Sequence, residues 1–281
     1  DGVNFEEFGR IIEDQIAGGT DAIVVTGTTG EAAAMSDAEH KEAIKFVVET
    51  VGGRIPVIAG TGSNDTNYAI QLSQYAEKAG ANGLLLVTPY YNKCTQGGLV
   101  KHFSKIADNV NIPSIVYNVP SRTGVNILPA TYARLAEHPR INATKEASGN
   151  LAAVARIRKA CGDSLNVYSG NDDEIVPILS VGGKGVISVL SNVAPKATHD
   201  MCRLYFEGKV EEAAKIQIDY MDLIEALFSE VNPIPVKTAM RLMGYKTGHL
   251  RMPLSELEPE HLEPLKKALK SHSLLQRPHA D

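Results

Sequence analysis

The stretch "DAIVVTGTTGEAAAMSDAEHKEAIKFVVETVGGRIPVIAG" (residues 21–60) decides the fold, because it holds one complete strand–helix–strand unit. An apolar run leads through a Gly/Thr-rich loop into an amphipathic segment, and a second apolar run follows. Ser36 with Glu39 three residues later forms a capping-box signature, which predicts the start of the helix. Because the Val/Ile runs are continuous rather than alternating, they indicate parallel strands covered on both faces.

The same unit recurs along the chain. Apolar runs predict strands at residues 21–27, 55–60, 83–89, 113–119, 141–147, 165–170 and 185–190, with helical patterns between them. Such alternation predicts a parallel α/β fold. Only helical patterns follow from about Ala194, so we expect a barrel domain over residues 1–208 and a C-terminal helical extension over residues 209–281.

The strand count and the strand ends favour a closed barrel over an open doubly wound sheet. Seven strands are predicted, and a helical pattern at about residues 4–17 precedes the first of them. Because a (β/α)8 TIM barrel needs eight strands, a barrel without its first strand would give this pattern. Polar residues follow several different strands, and such barrels assemble their active sites at those ends. We therefore predict a (β/α)8 barrel whose first strand is missing from the 281 residues, and we expect a chain beginning at Asp1 to fold poorly.

Composition excludes several classes of function. The chain is 43% hydrophobic and 22% charged, as in globular proteins with a substantial core. A net charge of −5 and the lack of a Lys/Arg-rich block argue against nucleic-acid binding. The three widely spaced cysteines and the scattered histidines predict neither disulfides nor a metal site, and no apolar stretch predicts a membrane span. We expect a cytoplasmic protein.

One lysine lies where the barrel would build its active site. In "INATKEASGN" (141–150), Lys145 stands near the C-terminal end of a predicted strand. A lysine desolvated there has a lowered pKa and can attack a carbonyl to form a Schiff base. The alternative is a buried ion pair, with Glu31 or Glu146 as the partner.

Two loops offer groups that bind anions. "VTGTTGEAAAMS" (25–36) places free N–H groups and two threonine hydroxyls before a helix, which suits a carboxylate. The alternative is an ordinary turn with capping threonines. In "IVYNVPSRTG" (115–124), Tyr117 can relay protons and Arg122 can clamp a carboxylate, although Arg122 equally fits a surface cation.

The tyrosine pair in "TPYYNKCTQGG" (88–98) directly follows a predicted strand. One phenol can supply a proton near a reaction centre, and aromatic packing or an interface explains the pair equally well. Cys94 in this loop has no fixed histidine partner, so we do not expect it to be a nucleophile.

Several motifs occur together in one order over essentially the whole chain: "GTTGE", "TPYYNK", "YNVPSRTG", "TKEASG", "GVISV" and "NPIPVK". In these motifs the sequence resembles the pyruvate-dependent class I aldolase family that includes dihydrodipicolinate synthase and N-acetylneuraminate lyase. The resemblance implies a (β/α)8 barrel with a C-terminal helical extension, assembled as a homotetramer (a dimer of dimers). It also implies that no cofactor is needed, because a lysine forms an imine with the substrate pyruvate.

The resemblance implies roles for individual residues. Lys145 would form the imine, Tyr117 would be the general acid/base, and Thr29 would hold the pyruvate carboxylate. Thr28 and Tyr91 would complete a proton relay, with the tyrosine reaching in from a neighbouring subunit. Main-chain groups near Gly170 and Ile187 would line the pocket.

Within the family, Arg122 and the threonine pair favour the synthase branch over the sialate lyases. That branch condenses pyruvate with L-aspartate 4-semialdehyde in lysine and diaminopimelate biosynthesis, and the arginine meets the carboxylate of the aldehyde substrate. The alternatives are a sialate or 2-keto-3-deoxy sugar acid aldolase, and a non-catalytic barrel that binds carboxylates.

A possible lysine feedback site also follows from the resemblance. His40, Asn64 and Tyr90 match polar residues of the lysine-inhibited enzymes. Ala32 and Asp37 stand where those enzymes often carry serine and histidine. These two departures argue against inhibition by lysine.

Overall fold

A computed structural model describes residues 2–275 of the chain. Within this range seven parallel strands form one sheet in sequence order: β1 (Ile23–Val25), β2 (Val57–Gly60), β3 (Gly83–Val87), β4 (Ser114–Asn118), β5 (Ile141–Glu146), β6 (Asn166–Ser169) and β7 (Gly185–Val186). Each strand is followed by helical structure before the next begins. The prediction of a parallel α/β fold is confirmed.

The helices occupy the segments that the sequence indicated. They are α1 (Phe5–Ala17), α2 (Asp37–Val51), α3 (Thr66–Ala79), α4 (Gln96–Ala107), α5 (Pro120–Thr123), α6 (Pro129–Leu135), α7 (Leu151–Cys161), α8 (Ile175–Ser180), α9 (Pro195–Phe206), α10 (Val210–Asp219), α11 (Met221–Leu227), α12 (Ile234–Leu242) and α13 (Pro259–Ser271). The predicted capping box is present: the Ser36 hydroxyl accepts from the Glu39 N–H, and the Glu39 carboxylate accepts from the Ser36 N–H.

The last strand is shorter than predicted. We expected a strand over residues 185–190, but β7 ends at Val186 and a 3₁₀ turn forms at Leu190–Asn192. The N–H groups of Val189 and Leu190 donate to the Asp172 carboxylate. Because those donors are already bonded, they cannot extend the ladder, and the chain turns away from the sheet.

The curved sheet separates two apolar clusters. Its outer face packs against the helices through side chains such as Leu86 and Val116, which belong to the main core. Its inner face carries a smaller cluster of Leu85, Ile115, Tyr117, Val119, Ala143 and Ala147. Alternation along a strand therefore decides which residues point inward.

The C-terminal helices share a core with the end of the sheet domain. Leu223, Leu227 and Leu265 of this region pack with Leu190 and Met201, which precede it in the chain. The helical extension is thus docked on the last strand–helix units rather than tethered beside them. Residues 276–281, the end of the predicted extension, lie outside the described residues.

The two edge strands of the sheet are β1 and β7, and no eighth strand lies between them among residues 2–275. Within that part of the chain no helix has both the length and the apolar character needed to cross a membrane. The same residues contain no group of three or more His, Cys, Asp or Glu side chains able to hold a metal ion.

Candidate active site

A cavity of about 1260 Å³ lies at the carboxyl ends of the strands and continues along the seam between β1 and β7. Its lining includes most of the candidate residues: Thr28, Thr29, Tyr117, Arg122, Lys145, Gly170 and Ile187. Parallel strands bring their carboxyl ends to one side of the sheet, so residues far apart in sequence converge here. The structure thus brings together seven of the predicted site residues.

Lys145 points into this cavity from the end of β5. Burial lowers the pKa of its amine from the ordinary 10.5 to about 8; the Arg122 guanidinium acts in the same direction, and the Asp172 carboxylate opposes both. With this pKa, roughly a tenth of Lys145 is neutral at pH 7, and about half is neutral at pH 8. A neutral amine is the form that attacks a carbonyl.

The alternative of an ion pair between Lys145 and Glu31 or Glu146 is wrong. Glu31 accepts instead from Lys237 Nζ. Glu146 lies on the opposite face of β5, where it accepts from Asn118 Nδ2 at 3.0 and 3.2 Å and from the Tyr132 hydroxyl at 2.9 Å. Adjacent residues of a strand point to opposite faces, which separates the two neighbouring charges.

Tyr117 is placed beside the lysine by strand register. Tyr117 of β4 pairs with Lys145 of β5, and the Lys145 Nζ lies 4.4 Å from the centroid of the Tyr117 ring. Burial raises the pKa of the Tyr117 phenol, while Arg122 and a hydrogen bond with the Thr28 side chain lower it. The phenol thus retains its proton near neutral pH, and Thr28 gives it a partner for proton transfer.

Asn232 joins two of the predicted substrate-binding residues. Its side-chain Nδ2 donates to the Thr29 hydroxyl oxygen at 2.9 Å, and its main-chain oxygen accepts from Arg122 Nη2 at 2.9 Å. Asn232 begins the "NPIPVK" stretch just before α12. The C-terminal extension therefore completes the wall of the cavity.

The same extension fixes the loop that carries the threonines. Glu31 has a left-handed backbone conformation with φ of 55°, which is strained for a residue with a side chain. Its carboxylate accepts from Lys237 Nζ and from the Arg251 N–H at 2.8 Å. These bonds from the C-terminal region stabilise the strained loop.

Gly170 allows a close approach at the end of β6. A Cβ atom at this position would lie 2.7 Å from the Ala147 Cβ and 3.1 Å from the Lys145 Cε. Because real side chains do not tolerate such contacts, glycine permits the lysine chain to pass. Ile187 lines the cavity on the other side, with its N–H bonded to the Ser169 oxygen at 2.8 Å.

Tyr91 is not part of the cavity in this chain. Its side chain is 92% exposed, and its backbone has a positive φ of 66°. Tyr90 beside it is 39% exposed. Within one chain, Tyr91 therefore does not join the other predicted catalytic residues at the cavity.

Of the three residues of the possible lysine site, Asn64 and Tyr90 are hydrogen-bonded to each other, whereas His40 bonds elsewhere. Asn64 Nδ2 donates to the Tyr90 main-chain oxygen at 3.2 Å. His40 is buried, its Nε2 lies 2.8 Å from the Gly60 oxygen, and burial lowers its pKa. Asp37 stands where the lysine-inhibited enzymes often carry histidine, and its carboxylate accepts hydrogen bonds from Lys41 Nζ and the Tyr68 hydroxyl.

The sequence-based interpretation missed Asn232 and Asp172. Asn232 lies 203 residues from Thr29 and 110 residues from Arg122, so no local pattern connects it to them. Asp172 could have been noticed because it follows predicted strand 165–170, at an end where site residues gather. Burial raises the pKa of the Asp172 carboxyl, while the Ser188 side chain, two backbone N–H groups and Lys145 lower it.

A lysine with a lowered pKa, a tyrosine beside it and a carboxylate-binding loop, at the carboxyl ends of parallel strands, define a class I aldolase, a lyase that works through a Schiff base. The chain belongs to the dihydrodipicolinate synthetase family, whose model matches residues 1–272. This is the family that the sequence motifs indicated.

Individual relatives cover almost the full chain. The 4-hydroxy-tetrahydrodipicolinate synthase 1 of Clostridium acetobutylicum is 54% identical over 98% of this chain and 94% of its own length. A chloride-inhibited dihydrodipicolinate synthase of Acinetobacter baumannii, solved with pyruvate, has a TM-score of 0.95 and 41% identity, and the match covers 98% of this chain and 94% of that one. The enzyme of Cyanidioschyzon merolae with lysine bound has a TM-score of 0.94 and 41% identity, covering 97% and 93%.

Proposed function

We propose that this protein condenses pyruvate with L-aspartate 4-semialdehyde, the reaction of 4-hydroxy-tetrahydrodipicolinate synthases in lysine and diaminopimelate biosynthesis. The observation that carries the proposal is the buried Lys145, whose pKa of about 8 leaves it partly neutral next to Tyr117. The names of the full-length relatives support the choice of substrates.

The Lys145 amine adds to the keto carbon of pyruvate, and loss of water gives an imine. The imine withdraws electrons, so a methyl proton leaves and an enamine forms. The enamine carbon attacks the aldehyde of the second substrate, and the amine of that substrate displaces Lys145 by transimination and closes the ring. Tyr117 moves the protons with Thr28, a contribution of about 10²–10⁴-fold in rate. No external cofactor takes part.

Substrate carboxylates bind at two places in the cavity. Thr29 and its turn hold the pyruvate carboxylate, because free N–H groups and hydroxyls favour an anion there. Arg122 binds the carboxylate of the aldehyde substrate. The main chain near Gly170 and Ile187 closes the pocket around pyruvate.

Tyr91 acts in a neighbouring subunit of a homotetramer built as a dimer of dimers. Its 92% exposure and its absence from the cavity lining support this role. Mixing inactive Tyr91→Phe and Lys145→Ala proteins tests it. A mixed oligomer regains activity if Tyr91 acts across subunits, since the Tyr91→Phe subunit receives the tyrosine of its neighbour. No regained activity, with subunit exchange verified by mass spectrometry, contradicts the role.

The fold is a (β/α)8 barrel over residues 1–208 with a helical extension over residues 209–281. The seam between β1 and β7 supports an eighth strand, because Ile23, Val24, Gly185 and Val186 line an open groove there. A strand-forming segment of about six residues placed ahead of Asp1 should raise the melting temperature. An unchanged melting temperature after this addition contradicts the eighth strand.

His40, Asn64 and Tyr90 form part of a regulatory site. The binding of lysine by the C. merolae relative supports this assignment, and the replacements Ala32 and Asp37 weaken the affinity for lysine. The protein acts in the cytoplasm, where its three cysteines stay free thiols.

Reduction of the imine tests the central proposal. Borohydride with pyruvate should add one reduced pyruvate to the protein, and Lys145→Ala should abolish that adduct. Lys184→Ala is the matched control, since Lys184 lines the same cavity and should not affect the adduct. An adduct that persists in Lys145→Ala contradicts the mechanism. A coupled assay with aspartate semialdehyde, against cleavage of sialic acid, then separates the two branches of the family.

A further inference from the structure

Asp172 is a buried carboxylate with one oxygen left over. The residue is 1% exposed, and its Oδ2 accepts from the N–H groups of Val189 at 3.0 Å and Leu190 at 2.8 Å. The other oxygen, Oδ1, is buried and has no hydrogen bond of ordinary geometry among the described residues, although the Ser188 side chain is close enough to lower the pKa of the carboxyl. A buried charged oxygen without a partner is costly and requires an explanation.

Asp172 lies at the same strand end as the lysine. It follows β6, whose Tyr168 pairs in register with Lys145. Gly170, two residues before Asp172, packs against the aliphatic part of the Lys145 chain. Gln217 holds the segment in place by donating from Nε2 to the Asp172 main-chain oxygen at 2.9 Å. The carboxylate is therefore fixed by neutral donors on the side of the sheet where Lys145 reacts.

Asp172 supplies the only negative charge that acts on the Lys145 amine among the described residues. Tyr117 of β4 and Arg122 of α5 line the cavity with the lysine, Tyr168 of β6 is its register partner, and Asp172 follows Gly170, which contacts the lysine chain, by two residues. Burial and Arg122 both lower the pKa of Lys145, and the Asp172 carboxylate raises it. Removing the Asp172 charge would leave the amine beside a guanidinium with no carboxylate opposing it.

We propose that Asp172 is a positioning residue that stabilises positive charge on the Lys145 nitrogen, first in the ammonium form and then in the protonated imine with pyruvate. The inference rests on the proposed function. The amine adds to the keto carbon, the carbinolamine oxygen leaves as water after it takes a proton, and the nitrogen keeps one proton and a charge of one. The unpartnered Oδ1 offsets that charge.

Asp172→Asn tests the proposal with little structural change. The asparagine oxygen can still accept from Val189 and Leu190, and its NH₂ group replaces the oxygen that had no partner. Trapping of the pyruvate imine with cyanoborohydride is followed by mass spectrometry across pH. The acidic limb of this profile should move to lower pH by roughly one pH unit, and the half-saturating pyruvate concentration should rise.

Two control variants separate charge from structure. Asp173→Asn removes the neighbouring exposed carboxylate, and Gln217→Met loosens the same segment without altering a charge. Both should leave the acidic limb in place, although Gln217→Met lowers the melting temperature. If Asp172→Asn does not fold, Asp172→Ser serves instead, because its hydroxyl can accept the Leu190 N–H.

The outcomes distinguish this inference from the proposed function. If the parent protein forms no adduct at Lys145, the proposed function fails. If the parent forms the adduct and the Asp172 variant gives an unchanged acidic limb, or one moved to higher pH, the inference about Asp172 is overturned.

Discussion

The Lys145 Nζ lies 4.4 Å from the centroid of the Tyr117 ring, and the two residues are register partners on β5 and β4. The next pair in the same register, Asn118 and Glu146, is hydrogen-bonded on the opposite face of the sheet. One face of these two strands therefore carries the reacting groups, and the other carries a buried polar network that fixes their positions.

Tyr117→Phe removes the phenolic oxygen and keeps the ring against Lys145. We expect kcat to fall by about 10²–10³-fold, because proton transfer loses its donor. The pyruvate adduct trapped by borohydride should still form, more slowly. Tyr75→Phe, on helix α3 and far from the cavity, is the control. Unchanged turnover in Tyr117→Phe would exclude the phenol as the acid/base.

Lys145→Met should abolish activity and stabilise the fold. The drop of the lysine pKa from 10.5 to about 8 corresponds to roughly 3 kcal/mol of unfavourable burial of the charged form. The unfolded chain binds the extra proton between these two pH values, so the stability of the parent rises with pH across them. The gain in free energy of unfolding of Lys145→Met over the parent is therefore largest below pH 8 and vanishes as pH approaches 10.5.

Urea unfolding of both proteins between neutral and alkaline pH measures this effect. Lys184→Met, at an exposed lysine of the cavity rim, should change stability little at any pH. A Lys145→Met protein that is less stable than the parent at neutral pH would show that the lysine makes a net favourable contribution.

Glu146→Gln should weaken the network behind the active site. The carboxylate accepts from Asn118, Tyr132 and the Ser148 N–H, and an amide NH₂ would face one of these donors. We expect a loss of about 1–3 kcal/mol in the free energy of unfolding. Because the network holds the ends of β4 and β5, which carry Tyr117 and Lys145, kcat should fall. The fluorescence or CD spectrum should stay native-like. The exposed Glu137→Gln is the control, and equal melting temperatures for the two would contradict the role.

Asn232→Ala should act mainly by raising the KM for pyruvate. The substitution breaks the 2.9 Å hydrogen bond that orients the Thr29 hydroxyl. We expect the KM for pyruvate to rise by up to roughly tenfold, the effect of one hydrogen bond. Asn166→Ala is the matched control, because Asn166 lies at the amino end of β6, away from the cavity. Steady-state kinetics at varied pyruvate measure both, and an unchanged KM in Asn232→Ala would contradict the assignment.

Local sequence determined the elements and the polarity of their ends. Apolar runs gave the seven strands, and the Ser36–Glu39 spacing gave the start of α2. The pattern of apolar runs also placed Lys145 at a strand end, because the extent of a strand is largely a local property of the sequence. The family motifs then gave the chemistry.

Only the tertiary structure decided which charges meet. Glu31 and Glu146 were both reasonable partners for Lys145 in sequence, yet Lys237, more than two hundred residues from Glu31, binds one of them, and neutral donors bind the other. Asp172 and Asn232 reach the site because parallel strands and the docked C-terminal helices bring distant residues to one end of the sheet. The lowered pKa of Lys145 is likewise a product of enclosure: burial removes the water that would solvate its charge, and no stretch of sequence contains that information.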